Sequence, residues 1–295
     1  MTTPDAAPGN RRRASIIATV AIGVAGLLAT ACATVVSAPA SLEAERFLPP
    51  GALAYARLDK ATLSAALARL PDAAGAAAVA DRTDSMTVAF VRPGASSKGG
   101  LVAVAEGRYP AGAASLKLST DPAWRRNGSA WERKDGSLRL AFAQGGRVLV
   151  GTAPIDGLLA AAESPHPYPI PERWGSEWSS AVAVYLPDPM ALLRERLPLG
   201  DGAVPMVAMF LSGRPLAGGG YSASLSFEFE TDRAAVVFAP LCRLFFYAAA
   251  TALWPERSAT VLDEAAWKTE GRVVRATGLP LEADSFAAFV GMAGL

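Results

Sequence analysis

Histidine and cysteine are nearly absent from this sequence, with one of the former and two of the latter in 295 residues. A single imidazole, His166, excludes every two-histidine metal motif. A serine triad would depend on that one residue, set in a proline-rich stretch, and no G-x-S-x-G elbow is present to carry the nucleophile. Phosphate-binding loops are missing as well. The segment 93–100 (PGASSKGG) holds Gly, Ser and Lys but not in the G-x-x-x-x-G-K-[ST] order, and no G-x-G-x-x-G follows a strand-like run. The sequence thus names no cofactor, no metal site and no catalytic set. Excess charge of either sign is lacking too: 28 Lys and Arg stand against 27 Asp and Glu, for a net +1. That excludes a polybasic nucleic-acid binder, which needs surplus cations to neutralise phosphates. With 51% hydrophobic residues, the chain is too apolar, at too low a net charge, to remain disordered. Much of that apolar fraction is alanine, which buries little area per residue, so the composition is less membrane-like than its mean hydropathy of +0.25 suggests.

What is present begins at the N-terminus. Residues 1–10 are polar, Arg11, Arg12 and Arg13 follow, and 14–31 (ASIIATVAIGVAGLLATA) carries no charge. A basic cluster before an apolar run marks a secretory signal or a membrane anchor, with the basic side retained in the cytoplasm. The end of the run, 27–32 (LLATAC), resembles the lipobox of bacterial lipoproteins. Ala29 stands where Leu, Val or Ile is commonest, so the box is of the relaxed kind found in spirochaetal lipoproteins. The resemblance covers six residues and implies a processing class, with no activity attached. It implies lipidation of the Cys32 thiol, cleavage before it, and a membrane as partner through the lipid. Residues 1–31 are then a signal peptide and 32–42 a tether. Two other outcomes stay open. Cleavage after 29–31 (ATA) or 38–40 (APA) would release a soluble exported protein. Without cleavage, the uncharged stretch to Leu42 exceeds the roughly 20 residues that span a bilayer. With Cys32 committed, no thiolate–imidazole zinc set remains. Cys242 lies in an apolar run and reads as a small buried hydrophobe.

The remainder reads as two similar halves, 43–163 and 175–295, joined by the proline-rich connector 164–174 (SPHPYPIPERW). Four features recur in order. A strand at 52–58 is followed by Asp59 as cap for a helix at 60–70, and a strand at 181–186 by Asp188 for a helix at 189–197. Paired strands come next, at 86–92 and 101–106, then at 204–211 and 221–230. The segment 130–136 (AWERKDG) is echoed by 266–271 (AWKTEG), each an acidic–Gly turn leading into a strand. Closing helices are expected at 155–162 and 281–290. This order predicts an α+β fold of antiparallel sheets with packed helices, arising by internal duplication.

Within the second half, 221–230 (YSASLSFEFE) alternates strictly, with Tyr221, Ala223, Leu225, Phe227 and Phe229 on one face. The three serines, Glu228 and Glu230 share the other, which predicts a sheet with one wet face and helices on the opposite side. Next, 234–254 is an apolar run with Arg243 near its middle and Pro240 inside it. An arginine at that depth disfavours a membrane span. The run reads as a core helix capped by Asp232, and exposure of Phe245, Phe246 and Tyr247 would mark a partner or lipid contact.

Tryptophans are the remaining candidates for contact. Trp131 and Trp267 hold matching positions and read as core. Trp124, Trp174 and Trp178 lie in polar loop context and are the residues to contact a partner or ligand if exposed. The expected function is an exported, lipid-anchored protein of the cell envelope, a binding or scaffolding module for an envelope protein or glycan. The competing class is a hydrolase-like envelope enzyme whose Ser, Asp or Lys groups converge in a cleft between the halves.

Overall fold

The computed structural model describes residues 43–67, 73–92, 99–163, 168–194, 204–217, 219–253, 256 and 258–281. Cys32, His166, the loop 93–98 and the expected closing helix beyond Leu281 lie outside them.

Twelve strands form one antiparallel sheet. In chain order they are β1 (Ala54–Asp59), β2 (Thr83–Val91), β3 (Gly100–Gly107), β4 (Trp124–Asn127), β5 (Ala130–Arg133) and β6 (Arg139–Ala143). They continue as β7 (Arg147–Gly151), β8 (Val182–Leu186), β9 (Met206–Pro215), β10 (Tyr221–Phe229), β11 (Ala266–Glu270) and β12 (Val273–Leu281). Their spatial order is β11-β12-β10-β9-β8-β1-β2-β3-β7-β6-β5-β4. The halves meet where β1 pairs with β8, Tyr55 opposite Tyr185 and Arg57 opposite Ala183. Outward from that seam the order is β1-β2-β3 on one side and β8-β9-β10 on the other. The echoed Trp hairpins do not take equivalent places. The β11–β12 hairpin pairs directly with β10, whereas β5–β6 stands one strand further out because β7 intervenes beside β3.

Helices cover one face: α1 (Lys60–Leu67), α2 (Ala73–Arg82), α3 (Ala111–Thr120), α6 (Pro189–Arg194), α7 (Asp232–Leu253) and α8 (Ser258–Glu264). Between α3 and α6 in sequence come two short helices, α4 (Leu158–Glu163) and α5 (Gly175–Trp178), which lie on the other face. The expected caps form. Asp59 Oδ1 accepts from the Thr62 N–H at 2.8 Å, and Asp188 Oδ1 from the Ala191 N–H at 3.0 Å. At α7 the cap is Thr231, whose Oγ1 accepts from the Ala234 N–H at 3.1 Å, and Asp232 instead opens the first turn. Both expected turns use a left-handed glycine, Gly136 at φ 71° and Gly271 at φ 55°.

The second face is covered at its centre, where a wet face was expected. A 3-10 turn at Ala44–Phe47, helix α4 and the segment 170–178 pack on it. Phe210 of β9 is the hub: Trp174 stacks on it at 5.1 Å, Tyr185 lies 6.0 Å away, and Trp178 approaches edge-on at 6.3 Å. This cover corrects the reading of β10, since Ser226 and Glu228 are buried beneath it rather than solvated. The core under the cover draws on both halves, from Phe47, Tyr55 and Leu149 to Trp174, Tyr185 and Phe210.

Candidate functional site

A cleft of about 690 Å³ opens between the covered sheet face and its cover. Its floor is Arg57 of β1, Glu106 of β3 and Arg147 of β7; its walls come from the 3-10 turn and residues 168–179. These charges reach one face because strand side chains alternate, Arg57 following Tyr55 at the period-2 spacing. They are paired with one another. Glu45 Oε1 accepts from Arg57 Nη1 at 3.2 Å and from Trp178 Nε1 at 2.7 Å. Glu106 Oε1 accepts from Arg147 Nη2 at 2.7 Å and Nε at 2.8 Å, while its Oε2 accepts from the Ser85 hydroxyl at 2.9 Å. The Arg147 guanidinium also lies over the Phe47 ring, 5.8 Å from its centre. At the mouth, burial and then the carboxylates of Glu45 and Glu43 push the Tyr168 hydroxyl far above its ordinary range. The Glu45–Arg57 pair fastens the cover to the sheet, while Glu106 and Arg147 pair across the neighbouring strands β3 and β7. Glu45 and Glu106 are committed as acceptors to the arginines, so neither is poised as a general acid or base. Among the described residues, no group of three or more His, Cys, Asp or Glu is placed to hold a metal.

The three tryptophans expected as exposed contacts are buried, which corrects that expectation. Trp124 packs with Trp131 and Leu140 beneath the helices of the first half. Trp174 and Trp178 fill the cover through their contacts with Phe210. The structure brings Trp174 and Trp178 together and leaves Trp124 in a separate cluster. Of the three, Trp178 alone also lines the cleft, and its N–H is spent on Glu45. Polar neighbours in sequence concealed this, since Glu172, Arg173, Ser176 and Glu177 surround the indoles in the chain, and two of them, Arg173 and Glu177, themselves turn to the sheet to pair with Glu228 and Arg275.

A second surface lies on α7. Its inner face packs on the sheet through Ala235, Cys242, Phe246 and Ala250. Burial pushes the Cys242 thiol up to about 12 and keeps it protonated. The outer face exposes Val236, Val237, Pro240, Leu244 and Tyr247, with Arg233 and Arg243 among them. The helix is therefore core on one side only. Phe246 is buried and Tyr247 exposed, which divides the group of three aromatics named from the sequence. Arg243 lies over the Trp267 ring, 5.6 Å from its centre. Among the described residues no helix is long and apolar enough to cross a membrane.

No protein-family model matches the chain, and no curated protein matches it. Solved structures do. Crystal form III of TP0453 is 17% identical, covers 87% of this chain and 100% of its own, and superposes with a TM-score of 0.59. Crystal form IV is 16% identical over 85% of this chain and 97% of its own, with a TM-score of 0.60. Crystal form I is 17% identical over 86% and 99%, with a TM-score of 0.59. At that identity the likeness shows a shared fold, extending over nearly the whole of both chains.

Proposed function

We propose that this chain is an exported protein of the cell envelope, attached to a membrane through a lipid on Cys32, and that its folded body is a binding or scaffolding module. The observation that carries the reading is the order of segments: Arg11–Arg12–Arg13, an uncharged run to Ala31, Cys32 directly after it, and Glu43 entering the fold about eleven residues later. A single acyl chain binds a membrane only marginally, whereas several chains on one cysteine hold it stably. Two carboxylates of the charged cleft, Glu45 and Glu106, are committed to Arg57 and Arg147, a structural use consistent with a binding body. The exposed apolar face of α7 supplies a surface through which such a body can bind.

Intact-mass measurement of the mature protein tests the reading. Expected are an N-terminus at Cys32 and a mass increment of acyl chains, both lost in Cys32→Ala together with partition into membranes. A mature chain that begins elsewhere, or a Cys32→Ala protein that is processed and partitions as before, overturns it.

A further inference from the structure

Four of the seven large apolar side chains exposed among the described residues lie on one face of α7. They are Val236 at 65%, Val237 at 61%, Leu244 at 61% and Tyr247 at 52% exposure. Scattered single apolar residues on a surface need no explanation, but a contiguous stripe does. The stripe is continuous along the helix, because 236, 240, 244 and 247 follow the i, i+4 and i+3 spacing of one face.

We infer that this face rests on a lipid surface, with the apolar side chains entering the boundary between head groups and acyl chains and the two arginines meeting lipid phosphates. The inference rests on the anchored reading above. Charge is the first argument. The helix carries Arg233 and Arg243 against a single acid, Asp232 in its first turn, and this basic excess complements an anionic surface. Length and polarity are the second. Twenty-two residues make a helix of about 33 Å, yet it does not qualify as a span, so it lies in the interface rather than across it.

Area separates the lipid from a second copy of the chain. One helix face about 33 Å long and about 10 Å wide offers roughly 300–400 Å². A stable protein pair buries roughly 800 Å² on each partner. A symmetric α7 pair would also set Arg243 close to its own copy. A membrane needs no such area, because the anchor makes docking of α7 an intramolecular event at high effective concentration. Reach permits it. The tether from Cys32 to Glu43, about eleven residues, extends at most about 36–40 Å. The cover that begins at Glu43 and the helix α7 lie on opposite faces of the sheet, two layer spacings of roughly 10 Å apart and three to four strand spacings of roughly 4.8 Å aside, about 25–28 Å in a straight line.

The test uses the full, membrane-anchored chain in vesicles of phosphatidylethanolamine and phosphatidylglycerol. A bimane is placed on Leu244→Cys or, at an exposed site on the opposite face, on Ser176→Cys; Cys242 is buried and silent. Flotation with the vesicles reports on the anchor. Quenching by nitroxide lipid reports on α7. Expected is flotation of both proteins, with quenching several-fold stronger at 244 than at 176, weakened when phosphatidylcholine replaces phosphatidylglycerol. Flotation with equal quenching at the two sites overturns the α7 inference and leaves the anchor standing. No flotation overturns both. Pyrene excimer emission from Leu244→Cys in place of lipid quenching assigns the face to a second copy and overturns the lipid.

Discussion

Arg173 grips Glu228 with two donors, Nη2 at 2.7 Å and Nε at 3.2 Å, both on Oε2. The contact ties the cover to β10, and its burial is lopsided: the arginine side chain is 50% exposed and the glutamate 2%. Arg272 approaches the other oxygen at 3.5 Å, also from the surface. Unequal burial predicts unequal mutational cost. Arg173→Ala strips a buried carboxylate of its best partner and is expected to cost about 2–3 kcal/mol. Glu228→Gln leaves two arginines that water can hydrate, and is expected to cost about 1 kcal/mol. Urea unfolding of the two variants measures the order. A larger loss for Glu228→Gln would show that stranding the buried carboxylate is not the dominant cost, and negligible loss in both would show that the pair does not hold the cover.

How far Glu228 was readable shows what strand patterns contain. The alternation in β10 correctly separates Tyr221, Ala223, Leu225, Phe227 and Phe229 from the serines and glutamates. It gives the direction of a side chain and nothing about what lies above it. Burial of Ser226 and Glu228 comes from residues 172–178, some fifty positions earlier, whose polar sequence hides two inward indoles. The Asp59 and Asp188 caps were legible because capping is local chemistry within three residues. Glu45, Arg57, Glu106 and Arg147 were not, because each is an ordinary charged residue until the sheet sets β1, β3 and β7 on one floor. The same limit applies to α7, where composition shows an apolar helix but only packing reveals which half of it is left uncovered.

Phe210 is where both halves and the cover converge, so its truncation tests whether they form one cooperative unit. Fully buried and ringed by Trp174, Trp178 and Tyr185, it is expected to cost about 3–5 kcal/mol when changed to alanine. Near-ultraviolet circular dichroism, to which those aromatic rings contribute, is expected to lose its signal together with far-ultraviolet ellipticity in a single transition. Loss of the near-ultraviolet signal first would mean that the cover detaches while the sheet survives.

Glu132 makes stability depend on pH with a definite sign. Hydrogen bonds from Arg125, at 2.8 and 3.2 Å, and the neighbouring guanidinium of Arg139 at 2.9 Å hold its carboxyl below the usual range. A carboxylate depressed in the folded state stabilises the fold above its unfolded value, near 4.3 for glutamate, and that contribution fades as pH falls through the folded value. Glu132→Gln removes the titration. The variant is expected to melt below the parent at pH 7, with the gap closing as the pH is lowered below about 4. A gap that stays constant across that window would assign the loss to packing rather than to the ion pairs.

Cys242 completes the account of α7 because it points the opposite way from Leu244. The thiol is fully buried against the sheet and raised to about 12, so almost none is thiolate at neutral pH and no reagent reaches it. In the Cys32→Ala protein, Ellman's reagent at pH 8 is expected to give no colour in the native state and one thiol per chain in denaturant. The native rate, followed over hours, then measures the opening of α7 from the sheet. If that face truly holds the core cluster of Phe246, Ala250 and Ala235, the rate should track global unfolding across a urea series. A urea-independent rate would instead show that α7 lifts from the sheet by itself, leaving the rest of the body folded.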